Sequence, residues 1–531
     1  GAGLFLQNAG LTLSPGAGET LTISDSIADD TGNGPNAGSL TIDGDGTVAL
    51  TGENSFSGGM TVAGGTLSLG SDTAAGTGTI TTTGSVIDYA DGVIIANPIV
   101  LGSDDTQLQV LAGSAEQSGV ISEIGGARPL EKIGAGTLTL SADNTYTGAT
   151  TVGGGRLTVT GNIDSGVVTV NTAAGLTADG AALSDTAAVT LNGTGDLTLT
   201  GSETIGSLAS ASGTSTVTLG ANTLTTGDAT DTSFAGVISG SGGLVKQGTG
   251  TFTLSGANTF TGATTVGGGT LDVTGAGTLA STDLQIGGGT LSTDGGALAA
   301  GAEAALSSGT LSTTGSETLA RIDQSGGTLT GTFTVGDFTQ TGGTGTATAD
   351  RSVVAIGGIA SSSATGMAGT NAAGDVTITS SAAGSVNNAG GTGVLGDTSG
   401  GTGSVTMVLD GAVSGTTGIE ALAGGNGMVA VTANGGVTGT AGDGIFTSAV
   451  DGDTVITLAG DVSGTGDGIN AVASGAGSVT VTGTGNVTGD ADGSGDPTDD
   501  GISVSTTSGT VLIDVDGSIS GAPGIVAVSA T

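Results

Sequence analysis

The chain of 531 residues contains no cysteine and no histidine, and only 6 of its residues are Lys or Arg. Without His and Cys, a Ser-His-Asp triad, a Cys-His pair and an ordinary zinc site are excluded, and most hydrolase designs with them. The 47 acidic residues give a net charge of −41, which repels nucleic acids and anionic membrane surfaces. These absences exclude nucleic acid as a partner.

Other absences concern targeting and shape. The sequence contains no run of about 20 apolar residues that could span a bilayer as a helix, so we expect no direct membrane insertion. The chain begins at Gly1 without Met or a signal peptide, and we expect a mature or trimmed fragment of a longer protein. Six prolines are too few for a stiff linker. With 8 Phe, 2 Tyr and no Trp, any core must be narrow and lined by aliphatic residues.

What the sequence does contain is a block of 24 residues that occurs three times, at residues 46–69, 136–159 and 250–273. The second and third copies agree at 18 of 24 positions. Each copy consists of short Thr, Val and Leu strands broken by Gly and Asn. Such strands cannot bury their apolar face alone, so copies must stack on their neighbours. The repeat therefore predicts a solenoid.

The strands alternate with a period of two. This places Leu138 and Leu140 on one face and Thr137 and Thr139 on the other. Glycine stands at most corners, where a left-handed or bulged backbone is needed. We therefore predict an all-β fold, a right-handed parallel β-helix with three strands per coil. Between residues 289 and 335 the strand signal persists at Leu291, Leu311 and Leu329, one coil apart.

A change of repeat divides the chain into three predicted parts: residues 1–350 with the 24-residue blocks, a weakly patterned connector at 351–375, and a second β-helix at 376–531. In the last part three strand positions recur in each coil, and we call them strand marks. The first series is Val405, Val429, Val455, Val479 and Val511. The second series is Val413, Val437, Val462, Val487 and Ile519, and the third is Ile419, Ile445, Ile469, Ile502 and Ile525. Their spacing of about 24 residues and a strand separation of about 4.8 Å predict about 22 coils in a rod on the order of 100 Å long.

The block resembles the passenger-associated repeat of type V autotransporters. The resemblance rests on Lys132, residues 136–140, residues 144–148, residues 150–152 and Gly155. Residues 246–273 are similar and residues 46–69 match more loosely. The resemblance covers residues 1–350 and implies a secreted passenger, a β-helical stalk carried through the outer membrane of a Gram-negative bacterium and displayed on the cell or released. Residues after 375 carry no family signature.

One segment is a candidate cation site. It holds five carboxylates within eleven residues, Asp490, Asp492, Asp496, Asp499 and Asp500. Calcium needs six to eight oxygen ligands from a flexible loop, and alternating Asp and Gly can supply them. A solvated acidic loop is the alternative. The Gly-Asp-Gly triplets at 442–444 and 466–468 are predicted to be turns. No other cofactor is expected.

Three further features of the sequence bear on catalysis, ice binding and turn formation. The acidic pairs Asp29-Asp30 and Asp104-Asp105 do not form a two-carboxylate site alone, because adjacent strand residues point to opposite faces. Outward Thr-x-Thr units could bind ice, yet β-propensity alone produces them. Equivalent asparagines stand in the three blocks and are predicted to stabilise a turn; they are Asn54, Asn144 and Asn258.

These observations favour a non-enzymatic extracellular structural or adhesive stalk. The alternative is a self-assembling filament subunit that stacks head to tail, because the apolar residues at both ends do not form a polar cap. A glycan-acting β-helix enzyme and an ice-binding protein are weaker alternatives. Candidate partners are a second copy bound end to end and a host or surface glycan or protein receptor. The expected location is the cell surface or the medium.

Overall fold

Over the residues that it describes, the computed structural model of the chain contains only β-strands, turns and bends, arranged as parallel stacked coils in a β-solenoid of about 22 turns. The predicted parallel β-helix is thereby confirmed. The structure describes residues 3–30, 37–340, 352–355, 359–360, 365–370, 375–380, 386–388, 390–496 and 498–529. Within these residues no helix is long and apolar enough to cross a bilayer. The chain divides into unit 1, residues 1–263 and 276–280, and unit 2, residues 264–275 and 281–531.

Unit 1 is built mainly from three stacks of parallel strands. The first stack contains Thr20–Ile23, Thr47–Leu50, Thr66–Leu69, Val86–Tyr89, Thr106–Gln109, Leu130–Ile133, Thr150–Val152, Val167–Val170, Ala188–Leu191 and Ser207–Ala209. The second contains Ile94–Ile95, Ser114–Gln117, Thr137–Leu140, Arg156–Val159, Gly175–Asp179, Asp196–Gly201, Thr216–Thr218 and Val237–Ser239. The third contains Gly10–Leu13, Ser39–Ile42, Met60–Val62, Ile80–Thr82, Ile99–Leu101 and Ile121–Glu123.

Shorter groups complete unit 1. Three pairs are Leu4–Leu6 with Ile27–Asp29, Asp143–Asn144 with Asn162–Ile163, and Ala257–Asn258 with Thr278–Leu279. The remaining strands are Glu203–Ile205, Leu224–Thr226, Thr232–Phe234, Leu244–Lys246 and Thr251–Leu254.

The predicted alternation is present in these strands. Leu138 and Leu140 are fully buried, whereas Thr137 and Thr139 are half-buried on the outer face. In register, each inward residue lies over an inward residue of the next coil, as Leu138 does over Leu157. The core of unit 1 is therefore a column of aliphatic side chains that runs through the centre of the coils.

Each 24-residue block occupies parts of two successive coils. In the second copy, Leu130 of the preceding strand pairs with Thr150, and Leu138 pairs with Leu157. The corner between the two coils contains Asn144 and the fully buried Tyr146. The block thus carries both strands of a pairing, which explains why its sequence is repeated as a unit.

The asparagine at this corner joins three successive coils. Its Oδ1 accepts a hydrogen bond from a backbone N–H of the coil before, and its Nδ2 donates to a carbonyl of the coil after. The contacts are Ile27 N to Asn54 and Asn54 to Ala74 O, both 2.7 Å; Ile121 N to Asn144 at 2.8 Å and Asn144 to Asn162 O at 2.9 Å; and Ile238 N to Asn258 at 3.0 Å and Asn258 to Thr278 O at 3.2 Å. The predicted turn residues therefore bridge coils as well.

Unit 2 also consists of parallel stacks. The longest contains Thr264–Val266, Thr270–Val273, Asp283–Ile286, Thr290–Thr293, Glu303–Leu306, Thr310–Gln324, Thr328–Gln340, Ser352–Ala355, Val376–Ser380, Val405–Leu409, Val429–Ala433, Thr454–Leu458, Val479–Gly483 and Val511–Val515. The second contains Ile359–Ala360, Val386–Asn388, Val413–Gly415, Val437–Gly439, Val462–Gly464, Val487–Thr488 and Ile519–Ser520. The third contains Thr365–Thr370, Thr392–Thr398, Ile419–Ala423, Ile445–Ala449, Ile469–Ala473, Ile502–Thr506 and Ile525–Ser529.

The first coils of unit 2 differ from the predicted arrangement of three short strands per coil. Thr310–Gln324 is one continuous strand, and its pairing with Thr328–Gln340 shifts register between Ser312 and Ser316. Both adjacent faces of the coil thus belong to the same strand. The predicted one-coil spacing is confirmed here, because Leu291 pairs with Leu311 and Leu311 with Leu329.

The coils after residue 400 follow the predicted strand marks with one exception. The second and third marks pair in register from coil to coil. In the first series, Thr454 rather than Val455 pairs with Val429. The prediction of Val455 was wrong by one residue, because the fully buried Thr454 takes the inward position that aliphatic residues occupy in the other coils.

The predicted domain boundaries at residues 350 and 375 stay predictions. Residues 341–351 and 371–374 lie outside the described residues. The division of the chain into its two compact units falls at residues 263–281 of the sequence.

The asparagine bridge leads to a first prediction. Asn144→Ala should cost about 1 to 3 kcal/mol locally, because it leaves the buried N–H of Ile121 without an acceptor. Hydrogen exchange of the Ile121 amide should accelerate accordingly. Asn192→Ala is the control, since Asn192 is exposed and its Nδ2 donates only to Asn171. Equal exchange in both variants would contradict the bridging role.

Candidate functional site

The predicted calcium residues lie in and beside a loop that connects Val487–Thr488 with Ile502–Thr506. Ser494 Oγ donates to Asp490 Oδ1 at 2.9 Å and lies 3.3 Å from Asp499 Oδ2. The backbone N–H of Gly495 also donates to Asp490, at 3.2 Å. Ser494 therefore brings Asp490 and Asp499 together.

Two more carboxylates of this loop accept local hydrogen bonds. Asp492 accepts from the N–H of Ser494 at 3.0 Å, and Asp496 accepts from the N–H and hydroxyl of Thr498 at 3.0 and 2.8 Å. Hydrogen bonds from Thr498 lower the pKa of Asp496, and that from the Ser494 side chain lowers the pKa of Asp490. Asp490 and Asp496 are therefore ionised at neutral pH.

Asp500, the fifth predicted ligand, does not join the loop. Its side chain is 7% exposed, and its backbone N–H donates to Asp467 Oδ1 at 2.7 Å. Across the described residues, no group of three or more His, Cys, Asp or Glu side chains is arranged to hold a metal ion. The five residues are thus divided between a surface loop and a buried column. Calcium binding at this loop stays a prediction.

Asp500 belongs to a column of aspartates in three successive coils, which we call the Asp column: Asp443, Asp467 and Asp500. Asp443 Oδ1 accepts the N–H of Asp467 at 3.0 Å, as Asp467 accepts that of Asp500. Burial, together with the charges of Asp443, Asp500 and Asp499, raises the pKa of Asp467 to about 6. Burial also raises the pKa of Asp443 and of Asp500.

The first two members of the Asp column come from the Gly-Asp-Gly triplets. The turns predicted there are present before the strands that begin at Ile445 and Ile469. Sequence analysis did not reveal that these two carboxylates accept backbone N–H groups of the next coil. The signal was available, because each aspartate stands two residues before an isoleucine strand mark.

Two buried lysines were not recognised as a site from the sequence. Lys132 and Lys246 are 2% and 1% exposed and stand at equivalent positions of two repeats. Lys132 Nζ donates to four backbone carbonyls of a glycine-rich corner, those of Ile133 (2.9 Å), Gly134 (3.1 Å), Gly136 (2.9 Å) and Gly154 (3.2 Å). Burial lowers the pKa of Lys132 to about 8. The ammonium group occupies the position that a bound cation would take among these carbonyls.

Two buried glutamates accept hydrogen bonds from backbone N–H groups, whereas the lysines donate to backbone carbonyls. Glu203 accepts the N–H groups of Ala182 and Leu183 at 3.1 and 3.4 Å. Glu317 accepts those of Ala297 and Leu298 at 3.1 and 3.2 Å. Both carboxylates hold the corner of the preceding coil. Sequence analysis did not find them, although each follows a serine in the same Ser-Glu-Thr triplet.

The acidic pair Asp29-Asp30 is separated as expected, but Asp104 and Asp105 are both exposed and line one groove, because they precede the strand Thr106–Gln109 rather than lie on it. Asp29 is buried and accepts hydrogen bonds from Gly38 and Ser57, whereas Asp30 is exposed. Asp104 forms an ion pair with Arg128 at 2.7 Å, beside a groove of about 430 Å³. Asp105 lines the same groove.

In the stack that contains Thr137–Leu140, the outward threonines form one regular column and one interrupted column. The regular column comprises Thr139, Thr158, Thr177, Thr198 and Thr218, one from each successive coil. In the neighbouring column Arg156 reaches across Gly175 to Asp196, with an N–O distance of 2.8 Å. A flat two-column Thr array therefore does not extend over these coils.

Comparison with known families supports the resemblance seen in the sequence. Residues 40–69, 130–159 and 244–273 match the family described as passenger-associated-transport-repeat. These segments contain the bridging asparagines, and the last two contain the buried lysines. The repeats and the β-solenoid fit an autotransporter passenger domain. No curated protein and no solved structure matches the chain.

The lysine site leads to a second prediction. Lys132→Met should cost about 1 to 3 kcal/mol, because the methionine leaves buried carbonyl oxygens without a donor. Hydrogen exchange of the strand Thr150–Val152 is the measurement. Arg156→Met is the matched control: its ion pair with Asp196 is partly exposed and should contribute less than about 1 kcal/mol. If Lys132→Met exchanges no faster than Arg156→Met, the carbonyl contacts do not stabilise the corner.

Proposed function

We propose that this chain is part of an autotransporter passenger and acts as a non-enzymatic extracellular stalk, displayed on or released from the outer membrane of a Gram-negative bacterium. The observation that carries the proposal is the occurrence of three passenger-associated repeats within a parallel β-solenoid. A stalk needs a scaffold whose length can change without a change of fold, and stacked coils provide this.

The use of the buried polar groups supports a structural role. Lys132, Glu203 and Asn144 all direct their side chains to backbone groups of neighbouring coils. Their donor and acceptor atoms are thereby used in hydrogen bonds that stabilise the corners. The same side chains would have to be free to contact substrate in a catalytic site.

The identity of the partners belongs to this proposal as well. A glycan or protein receptor, and end-to-end association with a second copy, stay predictions. Adhesion would use the outer faces of the coils, where hydroxyl and carboxylate groups are exposed.

The stalk proposal is tested by removing one whole coil. Val168 pairs with Val189, so deletion of residues 168–188 joins equivalent positions and preserves register. The chain is expressed in a Gram-negative host between a signal peptide and an autotransporter translocator. We expect both the intact chain and this deletion to reach the surface, as measured by protease treatment of intact cells.

The control deletes residues 168–177 only. This removes about half a coil, so the strands that follow no longer lie over their partners in the preceding coil, and surface display should fall severalfold. Retention of the intact chain inside the cell would contradict the passenger assignment. Equal loss of display in both deletions would contradict the modular stalk.

A further inference from the structure

Unit 2 has a groove of about 410 Å³ on the outer face of its longest stack. This volume lies within the range of about 300 to 1,000 Å³ that small-molecule sites occupy. Four of the lining residues pair in register, one in each of four successive coils: Thr265, Gln285, Ala305 and Asp323. The groove therefore runs along the stack and crosses the strands.

Ala305 forms the floor of the groove. It is half-buried, whereas Ala304 and Leu306 on either side of it are buried, so its methyl group points outward. Its register partners Gln285 and Asp323 are two coil spacings apart, about 10 Å. Because alanine has only one methyl group, the space between these two longer side chains stays open.

The rim of the groove carries polar groups of several kinds. Arg321 Nε donates to Asp323 Oδ1 at 2.8 Å, and the two side chains are 42% and 45% exposed. Gln285 on the opposite wall is exposed, as are Ser307 and Ser325 at one end. A guanidinium, a carboxylate, an amide and two hydroxyl groups thus surround an apolar floor.

The charges near the groove disfavour an anionic ligand. Glu303 precedes Arg321 in register and is exposed. Asp283 precedes Glu303 in the same column and accepts a hydrogen bond from the Gln285 amide. With Asp323, three carboxylates lie around one guanidinium, and their field repels anions.

The backbone of the groove disfavours an extended peptide. Such a peptide binds by adding a strand to an exposed sheet edge. The strand Glu303–Leu306 is paired on both sides, with Asp283–Ile286 and with Thr310–Gln324. A ligand in the groove therefore has to bind through the side chains of the rim.

These side chains match the hydroxyl groups of a sugar. A guanidinium only donates and a carboxylate only accepts, whereas an amide does both. Each sugar hydroxyl is a donor and an acceptor, and neighbouring hydroxyls on a ring can use several rim groups at once.

We propose that this groove is a binding site for a neutral saccharide, whose ring lies on Ala305 and whose hydroxyl groups bond to Arg321, Asp323 and Gln285. The proposal names a class of partner for the extracellular stalk and in that respect rests on the proposed function. Binding itself requires only the folded coils of unit 2.

The test is ligand-observed NMR of the purified full chain with four neutral disaccharides: lactose, maltose, cellobiose and N,N′-diacetylchitobiose. We expect saturation transfer to at least one of them, with a Kd of about 1 mM. Sialyllactose is the charged comparison, and it should bind more weakly than lactose because the carboxylates of the groove repel its own.

Ala305→Gln is the informative variant, because a long side chain on the floor fills the space between Gln285 and Asp323. We expect the affinity for the bound disaccharide to fall about tenfold or more. Ala305→Ser is the matched control at the same position, since it adds only a hydroxyl group, and its affinity should stay near that of the wild type. Equal hydrogen exchange of the strand Glu303–Leu306 in both variants checks that the coil is intact.

Asp323→Asn tests the rim without filling the groove. The amide keeps the shape of the side chain but replaces one acceptor oxygen with a donor, so binding should weaken severalfold. Asp461→Asn is the control, because Asp461 is also an exposed aspartate that accepts a hydrogen bond between coils but does not line the groove.

Three results would overturn the proposal. One is the absence of binding by all four neutral disaccharides up to about 20 mM, and another is binding of sialyllactose alone. The third is full affinity in Ala305→Gln or, if that variant does not fold, in Asp323→Asn. None of these results affects surface display, so failure of the saccharide site and failure of the passenger assignment are separate outcomes.

Discussion

The coils that the structure describes are held together by parallel backbone hydrogen bonds to equivalent residues of the neighbouring coils. The strands are only a few residues long, so no coil could bury its apolar face or satisfy its backbone alone. Register then decides which side chains meet. A shift of one residue would turn the buried Leu138 outward and Thr137 inward.

The corners need additional hydrogen-bond partners, because the backbone there turns away from the ladder and leaves N–H and C=O groups inside. The chain supplies polar side chains of three kinds. Asn144 bonds to both neighbouring coils, Lys132 donates to carbonyls and Glu203 accepts from N–H groups. Each of these side chains provides a hydrogen-bond partner for buried backbone groups, because leaving such groups unpaired costs free energy.

The C-terminal coils use only carboxylates, hydroxyls and amides for this purpose. Asp467 accepts a backbone N–H in the way that Glu203 does, but it lies in a column with other aspartates. The same bond that holds one coil to the next therefore accumulates negative charge along the stack. In the passenger repeats, asparagine and lysine hold the corners instead.

The sequence by itself determined the parallel β-helix, the one-coil spacing of Leu291, Leu311 and Leu329, and the strand marks of the C-terminal coils, because period-two alternation and glycine corners are local properties. Among the strand marks it misplaced Val455, where Thr454 is buried, since composition does not distinguish an inward threonine from an outward one. Only the tertiary structure decided that Asp500 leaves the acidic loop for a column with Asp443 and Asp467. It also decided that Lys132 and Glu203 serve corners of adjacent coils. These contacts join residues about one coil apart, and their partners are backbone groups that carry no signature in the sequence.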